Sequence, residues 1–319
     1  MQDAPYLRLP DDPPSMARAF WLRTDDGRRL RAAVWQPKDA VATVLLFPGR
    51  TEYLERYEPT ASWLAAQGFA VLGPDWRGQG LSERSLPDPR IGHVSDFADY
   101  QRDVAALLDA AVDLNLPRPW HLLAHSMGGA VGLAALEHGL PVASAVFSAP
   151  MWGIRLPFPV PLARAITSTA GRLGQQNRII PGTGNGTYVL DYPFADNMLT
   201  SDAQTWARMV QESAAWPELT LGGPSFAWLG AALRECQRLA ALPAPDLPAL
   251  ISLGGRERIV THAAIRSRAA HWPGAKLFEE PMAQHEIMME TPTARDRFLN
   301  AALSLFRAAP LNQRGGADT

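Results

Sequence analysis

Ser126 stands in "LLAHSMGGA" (residues 122–130), with Ala124 two positions before it, Gly128 two after it, and Gly129 beyond. Small residues at these spacings are what a serine needs to sit exposed on a tight, strained turn between a buried strand and a helix. The apolar run before Ser126 and the helix-like "MGGAVGLAALEHG" after it supply that context. The bland alternative is a strand end followed by a glycine-softened helix start, with an idle serine. A serine attacks an acyl carbonyl only with a base in reach and a carboxylate to orient the base. The helix start would also present the Met127 N–H, at the positive end of a helix dipole, to a developing oxyanion.

Of seven histidines, His285 is the best placed base. It lies in "PMAQHEIMME" after the strand-like "AKLFEE", so that nucleophile, acid and base follow in that order along the chain. His125 adjoins Ser126, but its side chain is expected to point away from it. His121 lies within the strand and His138 late in the next helix, while His262 and His271 read as helix-face residues and His93 as a structural cap. For the acid, the loop after "ALISLGG" holds one carboxylate, Glu257, which is 131 positions after Ser126 and 28 before His285. Glutamate can accept the histidine Nδ1 proton as aspartate does, on a slightly different loop. Its alternative is a solvated glutamate among arginines. Asp75, Asp246, Glu279, Glu280 and Glu286 suit the role less by position. A second oxyanion donor is expected from "FPGRTEY", where Gly49 permits a tight turn and Arg50 offers its N–H. The Arg50 side chain, alternatively, is of a type that contacts a polar or anionic substrate group.

These residues must be held by a sheet. "RAFWLRTDDGRRLRAAVWQP" reads as a hairpin turning on Asp25, Asp26 and Gly27. "ATVLLF", "FAVLGP", "WHLLAH", "ASAVFSAP" and "ALISLGG" are continuous apolar runs of the kind buried in a parallel sheet, and "AKLFEE" completes the set. Helical segments alternate with them. In "FADYQRDVAALLDAAVDL", Val104, Leu107, Leu108 and Ala111 fall on one face. The expected class is α/β: a mostly parallel, doubly wound sheet with an antiparallel N-terminal hairpin. The rhythm breaks between Trp152 and about Ala240, where prolines, glycines and aromatics replace any βαβ unit. A structureless loop of that length is improbable in a compact domain. The expected organisation is therefore a core over 1–151, an inserted helical cap over 152–240, the rest of the core over 241–308, and a flexible tail over 309–319.

Taken in order, "FPGRTEYLERY", "GPDWRGQGLSER", "GHVSDFADYQRDV", "LLAHSMGGA" and "AQHEIMME" resemble the α/β-hydrolase fold. More narrowly, they resemble its lysophospholipase and monoacylglycerol-lipase-like branch, over roughly Ala17 to Ala308 and including the position of the cap. The resemblance implies Ser126 as nucleophile, Glu257 as acid and His285 as base, with the Arg50 and Met127 N–H groups as oxyanion donors. It also implies a structural role for "DWRGQG" (Asp75 to Gly80). Glu257 stands where the family usually has aspartate, and Pro48-Gly49 where its lipases have His-Gly.

Composition narrows the partners. The chain of 319 residues is 47% hydrophobic and 19% charged, with a formal net charge of -2, which describes a globular protein and gives no global field for nucleic acid. A single cysteine, Cys236, permits no intramolecular disulfide. No basic start followed by an apolar run marks a secretory signal, and no apolar run is long enough to span a membrane. A cytoplasmic protein is expected, with peripheral membrane contact compatible, no cofactor or metal, and an oligomeric state the sequence does not specify. The expected activity is hydrolysis of a small-molecule or lipid ester through an acyl-enzyme. The aromatic cap suits an apolar acyl chain, as in a lysophospholipid or monoacylglycerol, although ordinary packing explains most of those rings equally well. Two rivals stand beside it. One is an aminopeptidase of the proline-iminopeptidase type, for which Glu212, Glu218 or Glu235 would hold the substrate amine. The other is a non-catalytic binding protein on the same fold. Dehalogenases and epoxide hydrolases of this fold need an aspartate at the nucleophile position, and serine at 126 argues against both.

Overall fold

The computed structural model describes residues 1–308; the tail expected over 309–319 lies outside the described residues. The chain begins with strands β1 (Gln2–Asp3), β2 (Arg18–Arg23), β3 (Arg29–Trp35) and β4 (Ala42–Phe47), followed by helix α1 (Glu58–Ala66) and strand β5 (Phe69–Pro74). Helix α2 (Asp99–Asp113), strand β6 (Trp120–His125), helix α3 (Met127–Glu137) and strand β7 (Ser144–Ser148) come next. Helices α4 (Val160–Arg172), α5 (Tyr188–Asp191), α6 (Ala203–Ala215) and α7 (Phe226–Ala240) then intervene without a strand of the sheet. Strand β8 (Ala249–Gly254), helix α8 (His262–Ala270), strand β9 (Ala275–Glu280) and helix α9 (Pro292–Ala308) complete the described chain.

The strands form one sheet in the order β1-β2-β3-β5-β4-β6-β7-β8-β9. β2 and β3 are the expected antiparallel hairpin, and β3 also runs antiparallel to β5; from β5 through β4, β6, β7 and β8 to β9 all pairings are parallel. Every residue of β4, β5, β6, β7 and β8 is buried, because helices cover both faces of a parallel sheet. Strand β1 had no signal in the sequence: it is two exposed polar residues, held by pairing with Trp21 and Phe20.

Alternation along the strands divides the core in two. Leu45 and Phe47 of β4 face a cluster with α2, α3, α7 and Ile265 of α8, whereas Val44 and Leu46 face α1 and α9. Each large apolar side chain so enclosed contributes about 1.5–3 kcal/mol, and this burial dominates the order of the layers. In α2, Val104, Leu107 and Ala111 are buried in the first cluster and Leu108 packs at its margin, as the helical spacing requires. Helix α3 ends where Gly139 takes φ +83°, a left-handed C-terminal position that glycine adopts without steric cost. No helix among the described residues is long and apolar enough to cross a membrane.

The register aligns the carboxyl ends of the central strands. Phe47 of β4 pairs with Ala124 of β6, and His125 of β6 with Ser148 of β7. The loops leaving these strands therefore emerge side by side, which is where open parallel sheets place their sites.

Candidate active site

Ser126 links β6 to α3 with φ 51° and ψ -115°, a backbone conformation that a residue with a side chain adopts only under strain. Two things hold it there. The Ser126 N–H donates to the Ser148 carbonyl at 2.9 Å, and the Ser126 carbonyl accepts from Gly129 and Met151 N–H groups at 2.9 and 2.8 Å. Gly128 lets the first turn of α3 lie against the end of β4: a Cβ there would collide with the carbonyl oxygens of Phe47 and Pro48. Ala124, which takes the place of the usual glycine, is an ordinary strand residue pairing with Phe47 and Phe147, so its methyl meets no obstacle. Thr51 and Ala149, on loops adjoining the same strand ends, also have positive φ, at 66° and 42°. Backbone strain thus gathers around one spot.

His285 and Glu257 arrive from the loops after β9 and β8. His285 Nε2 lies 2.8 Å from Ser126 Oγ, and His285 Nδ1 lies 2.6 Å from Glu257 Oε2. With Nδ1–H donating to the carboxylate, Nε2 is left to accept the serine proton. The other oxygen of Glu257 accepts the N–H groups of Ile259 and Val260, at 2.5 and 3.1 Å. Burial alone would raise the Glu257 pKa, but the adjacent His285 ring and these hydrogen bonds outweigh it and hold the carboxyl down at about 2. The loop needed for the longer glutamate is therefore one that turns back on its own carboxylate. All three side chains expected from the sequence are buried, and the other five histidines outside this strand end lie elsewhere. His93, for example, hydrogen-bonds Ser225 Oγ at 2.8 Å, and Ser225 caps α7 by accepting from Trp228 N–H.

The Arg50 and Met127 N–H groups make no hydrogen bond to protein among the described residues. The loop carrying Arg50 is fixed by "DWRGQG" beneath it: Trp76 Nε1 donates to the Pro48 carbonyl at 2.9 Å, and Gln79 donates to the Gly49 carbonyl at 3.0 Å while accepting from Thr51 N–H at 3.1 Å. Asp75 accepts from Leu54 and Leu81 N–H groups and pairs with the buried Arg31, which also pairs with Glu55.

One buried cluster had no expectation attached to it. Glu52 accepts from Gly49 N–H and the Tyr57 hydroxyl. Its other oxygen lies 3.3 Å from His125 Nε2, paired in charge though misaligned for a hydrogen bond. His125 Nδ1 meets Ser148 at 3.0 Å, and its ring packs 4.8 Å from that of His285. So His125 does turn away from Ser126, onto Glu52. Burial lowers the His125 pKa, but Glu52 more than reverses this and raises it; burial raises that of Glu52, but His125 and Arg56 bring it down to about 2. Glu286, whose pKa burial raises, lies 3.6 Å from Arg56. Glu52, His125 and Glu286 each place one potential metal-ligand atom within 4.8 Å of the others. The Arg56 cation and the donors on Glu52 offset much of that group's charge, while His125 Nε2 and Glu286 Oε2 keep no hydrogen-bond partner.

Ser126 and His285 open on a cavity of about 440 Å³ whose apolar lining includes Met151, Ile154, Leu221, Trp228 and Ile259, with Tyr188 and Val189 from α5. The segment between β7 and β8 reaches the histidine loop directly: His285 and Glu286 N–H groups donate to the carbonyls of Met198 and Leu199, at 3.3 and 2.8 Å. Glu212, Glu218 and Glu235 do not line this cavity. Glu212 accepts from Tyr53 and Arg208, and Glu235 pairs with Arg238. Glu212 and Glu235 are thus spent elsewhere, and Glu218 lies off the cavity.

The Hydrolase_4 family, described as "Serine aminopeptidase, S33", matches residues 38–292. Lysophospholipase L2 of Escherichia coli K12 is 34% identical over 307 residues, covering 90% of this chain and 88% of that protein. Human monoglyceride lipase is 32% identical over 152 residues, 47% of this chain and 45% of its own. Among solved structures, a soluble variant of monoglyceride lipase from Saccharomyces cerevisiae superposes with a TM-score of 0.73 at 18% identity, covering 96% of this chain and 100% of that one. The fold is shared over nearly the whole chain.

Proposed function

The chain is a serine hydrolase that belongs to the Hydrolase_4 family of α/β-hydrolases, and from that premise we propose that Ser126 is its nucleophile, His285 its base and Glu257 the acid that orients the base. The substrates are carboxylic esters of monoacyl lipids, lysophospholipids or monoacylglycerols. The observation that carries this reading is the unbroken relay from Ser126 Oγ through His285 to Glu257 at 2.8 and 2.6 Å, facing a mainly apolar cavity. Ser126 attacks the acyl carbonyl as its proton passes to His285 Nε2. The N–H groups of Arg50 and Met127 stabilise the oxyanion. His285 then protonates the departing alcohol, and water activated by the same ring releases the acyl group.

The segment over 152–240 acts as a cap that walls the acyl site. It also carries exposed apolar side chains, Leu162, Ile166, Leu173, Leu190, Tyr192 and Phe194, which support contact with a lipid surface. The family's description names a peptidase, while the relative matched over most of its length is a lysophospholipase; the cavity, without the three cap glutamates that a bound amine would have used, favours the ester.

A fluorophosphonate probe tests the assignment. It should label Ser126, as read by peptide mass, and abolish hydrolysis of a p-nitrophenyl ester, while Ser126→Ala should lose both. A labelled but fully active enzyme, or an active Ser126→Ala variant, would overturn it. A panel of lysophospholipids, monoacylglycerols and amino-acyl amides then identifies the substrate class.

A further inference from the structure

The Arg50 side chain is charged, half-buried and short of partners. Its guanidinium lies against Gly92 and over the ring of Trp228, 5.1 Å from the ring centroid. Nη2 donates to the Gly222 carbonyl at 2.8 Å. Nε is buried with no partner, Nη1 makes no hydrogen bond and is not fully buried, and Arg50 lines the cavity together with Ser126.

Most other arginines held in the interior are provided for; Arg164, with one carbonyl partner and a buried, unpartnered Nε, is an exception, but it does not line the cavity. Arg31, Arg56 and Arg77 each have a carboxylate partner, and Arg84 and Arg268 each donate to three backbone carbonyls. No carboxylate pairs with Arg50 among the described residues, and burial draws its pKa down to about 10. A partly buried cation without a counter-ion is costly, and the stacking on Trp228 offsets only part of that cost. The two buried carboxylates on the same cavity are engaged elsewhere, Glu52 by Gly49, Tyr57 and His125, and Glu286 by Arg56.

We propose that the free edge of the Arg50 guanidinium binds the phosphate of the substrate's head group, so that the cavity selects phosphate-bearing monoacyl esters over neutral ones. Guanidinium suits this because its planar fork meets phosphate oxygens with paired, charge-assisted hydrogen bonds. The backbone N–H of the same residue serves the oxyanion, so the two halves of Arg50 recognise the two ends of one ester. The proposal rests on the reading of Ser126 as an esterase nucleophile.

The test has two arms. In the first, kcat/KM is measured for lysophosphatidylethanolamine and for the monoacylglycerol with the same acyl chain, on the wild type, Arg50→Gln and Arg50→Lys. Arg50→Gln should lower the phosphate-to-neutral ratio at least about tenfold, with Arg50→Lys in between; an equal loss on both substrates would mean a strut between loop and cap and overturn the proposal. In the second, calorimetry follows sn-glycerol 3-phosphate, inorganic phosphate and glycerol binding to the wild type and Arg50→Gln. Glycerol 3-phosphate should bind the wild type and lose at least about tenfold in affinity in Arg50→Gln, whereas glycerol should not bind. Glycerol 3-phosphate binding no better than glycerol sinks the proposal on the wild type alone. Phosphate binding without any lipid preference overturns the head-group assignment in favour of a free-phosphate site. If the wild type turns over no ester while glycerol 3-phosphate binding depends on Arg50, the esterase reading fails and the anion site stands.

Discussion

At the scale of single residues, burial and charge oppose each other most directly at Glu257. Enclosure alone would raise its pKa, yet His285 and two backbone N–H groups hold the carboxyl near 2. A carboxyl depressed in the folded protein makes its full contribution above its unfolded value near 4.5 and loses it progressively as pH falls from there through about 2. Glu257 therefore stays ionised over any working range, and the acid limb of activity belongs to another group. In Glu257→Gln the amide can no longer hold the His285 ring as a carboxylate does, so kcat should fall by about 10²–10⁴-fold with KM little changed. Thermal unfolding should show the variant folded, and the acid limb of its pH profile should persist on the lower plateau. A variant with near wild-type kcat would place the acid elsewhere. Glu257 itself was readable in the sequence because a single carboxylate follows "ALISLGG". The direction of the Arg50 guanidinium was not, because its acceptor, Gly222, is 172 positions away.

At the scale of elements, the strands were the most legible part. Runs such as "ATVLLF", "FAVLGP" and "WHLLAH" coincide with β4, β5 and β6, because a strand covered on both faces must be apolar throughout. The segment between β7 and β8 was legible only as a break in rhythm. Its helices do not share one environment: Trp228, Leu229 and Ala232 of α7 join the cluster with α2 and α3, whereas Trp206 and Met209 of α6 join the cluster with α1 and α9. Helix α4 keeps Leu162 and Ile166 exposed. If these side chains meet a lipid surface, Leu162→Glu with Ile166→Glu should reduce binding to vesicles and hydrolysis of a micellar lysophospholipid about tenfold. Hydrolysis of a monomeric short ester should remain within about twofold, since neither residue lines the cavity. Equal activity on vesicles and monomers in the variant would remove this role from α4.

At the scale of the whole molecule, the sheet and its two cores hold titratable groups as well as apolar ones. His121 lies in β6 with its ring 4.9 Å from that of Phe306 in α9 and its Nδ1 2.9 Å from Ser144 Oγ in β7. Burial lowers its pKa from 6.5 to about 4. The unfolded chain then takes up a proton near pH 6.5 that the folded protein refuses until about 4, so stability is lost as pH falls through that window. The loss from this residue should be about 2–3 kcal/mol by pH 4.5. His121→Gln should flatten the curve of unfolding free energy against pH between 6.5 and 4, as measured by urea titration. An unchanged slope would show that His121 is protonated in the folded protein.

Local chemistry was sufficient for part of this protein. Periodicity, small residues at fixed spacing around Ser126, and the order of serine, glutamate and histidine all act within a few neighbouring positions or along the chain, so the sequence alone determined the α/β class, every strand but β1, and the short list of Ser126, Glu257 and His285. What enclosed them was decided only in three dimensions. The pairing of Glu52 with His125, the pairing of Arg56 with Glu286, and the seating of Arg50 between Gly92 and Trp228 join segments far apart in the chain. A buried charge takes its partner, or lacks one, from whichever segment the packed core brings beside it, and that choice is made by the whole fold.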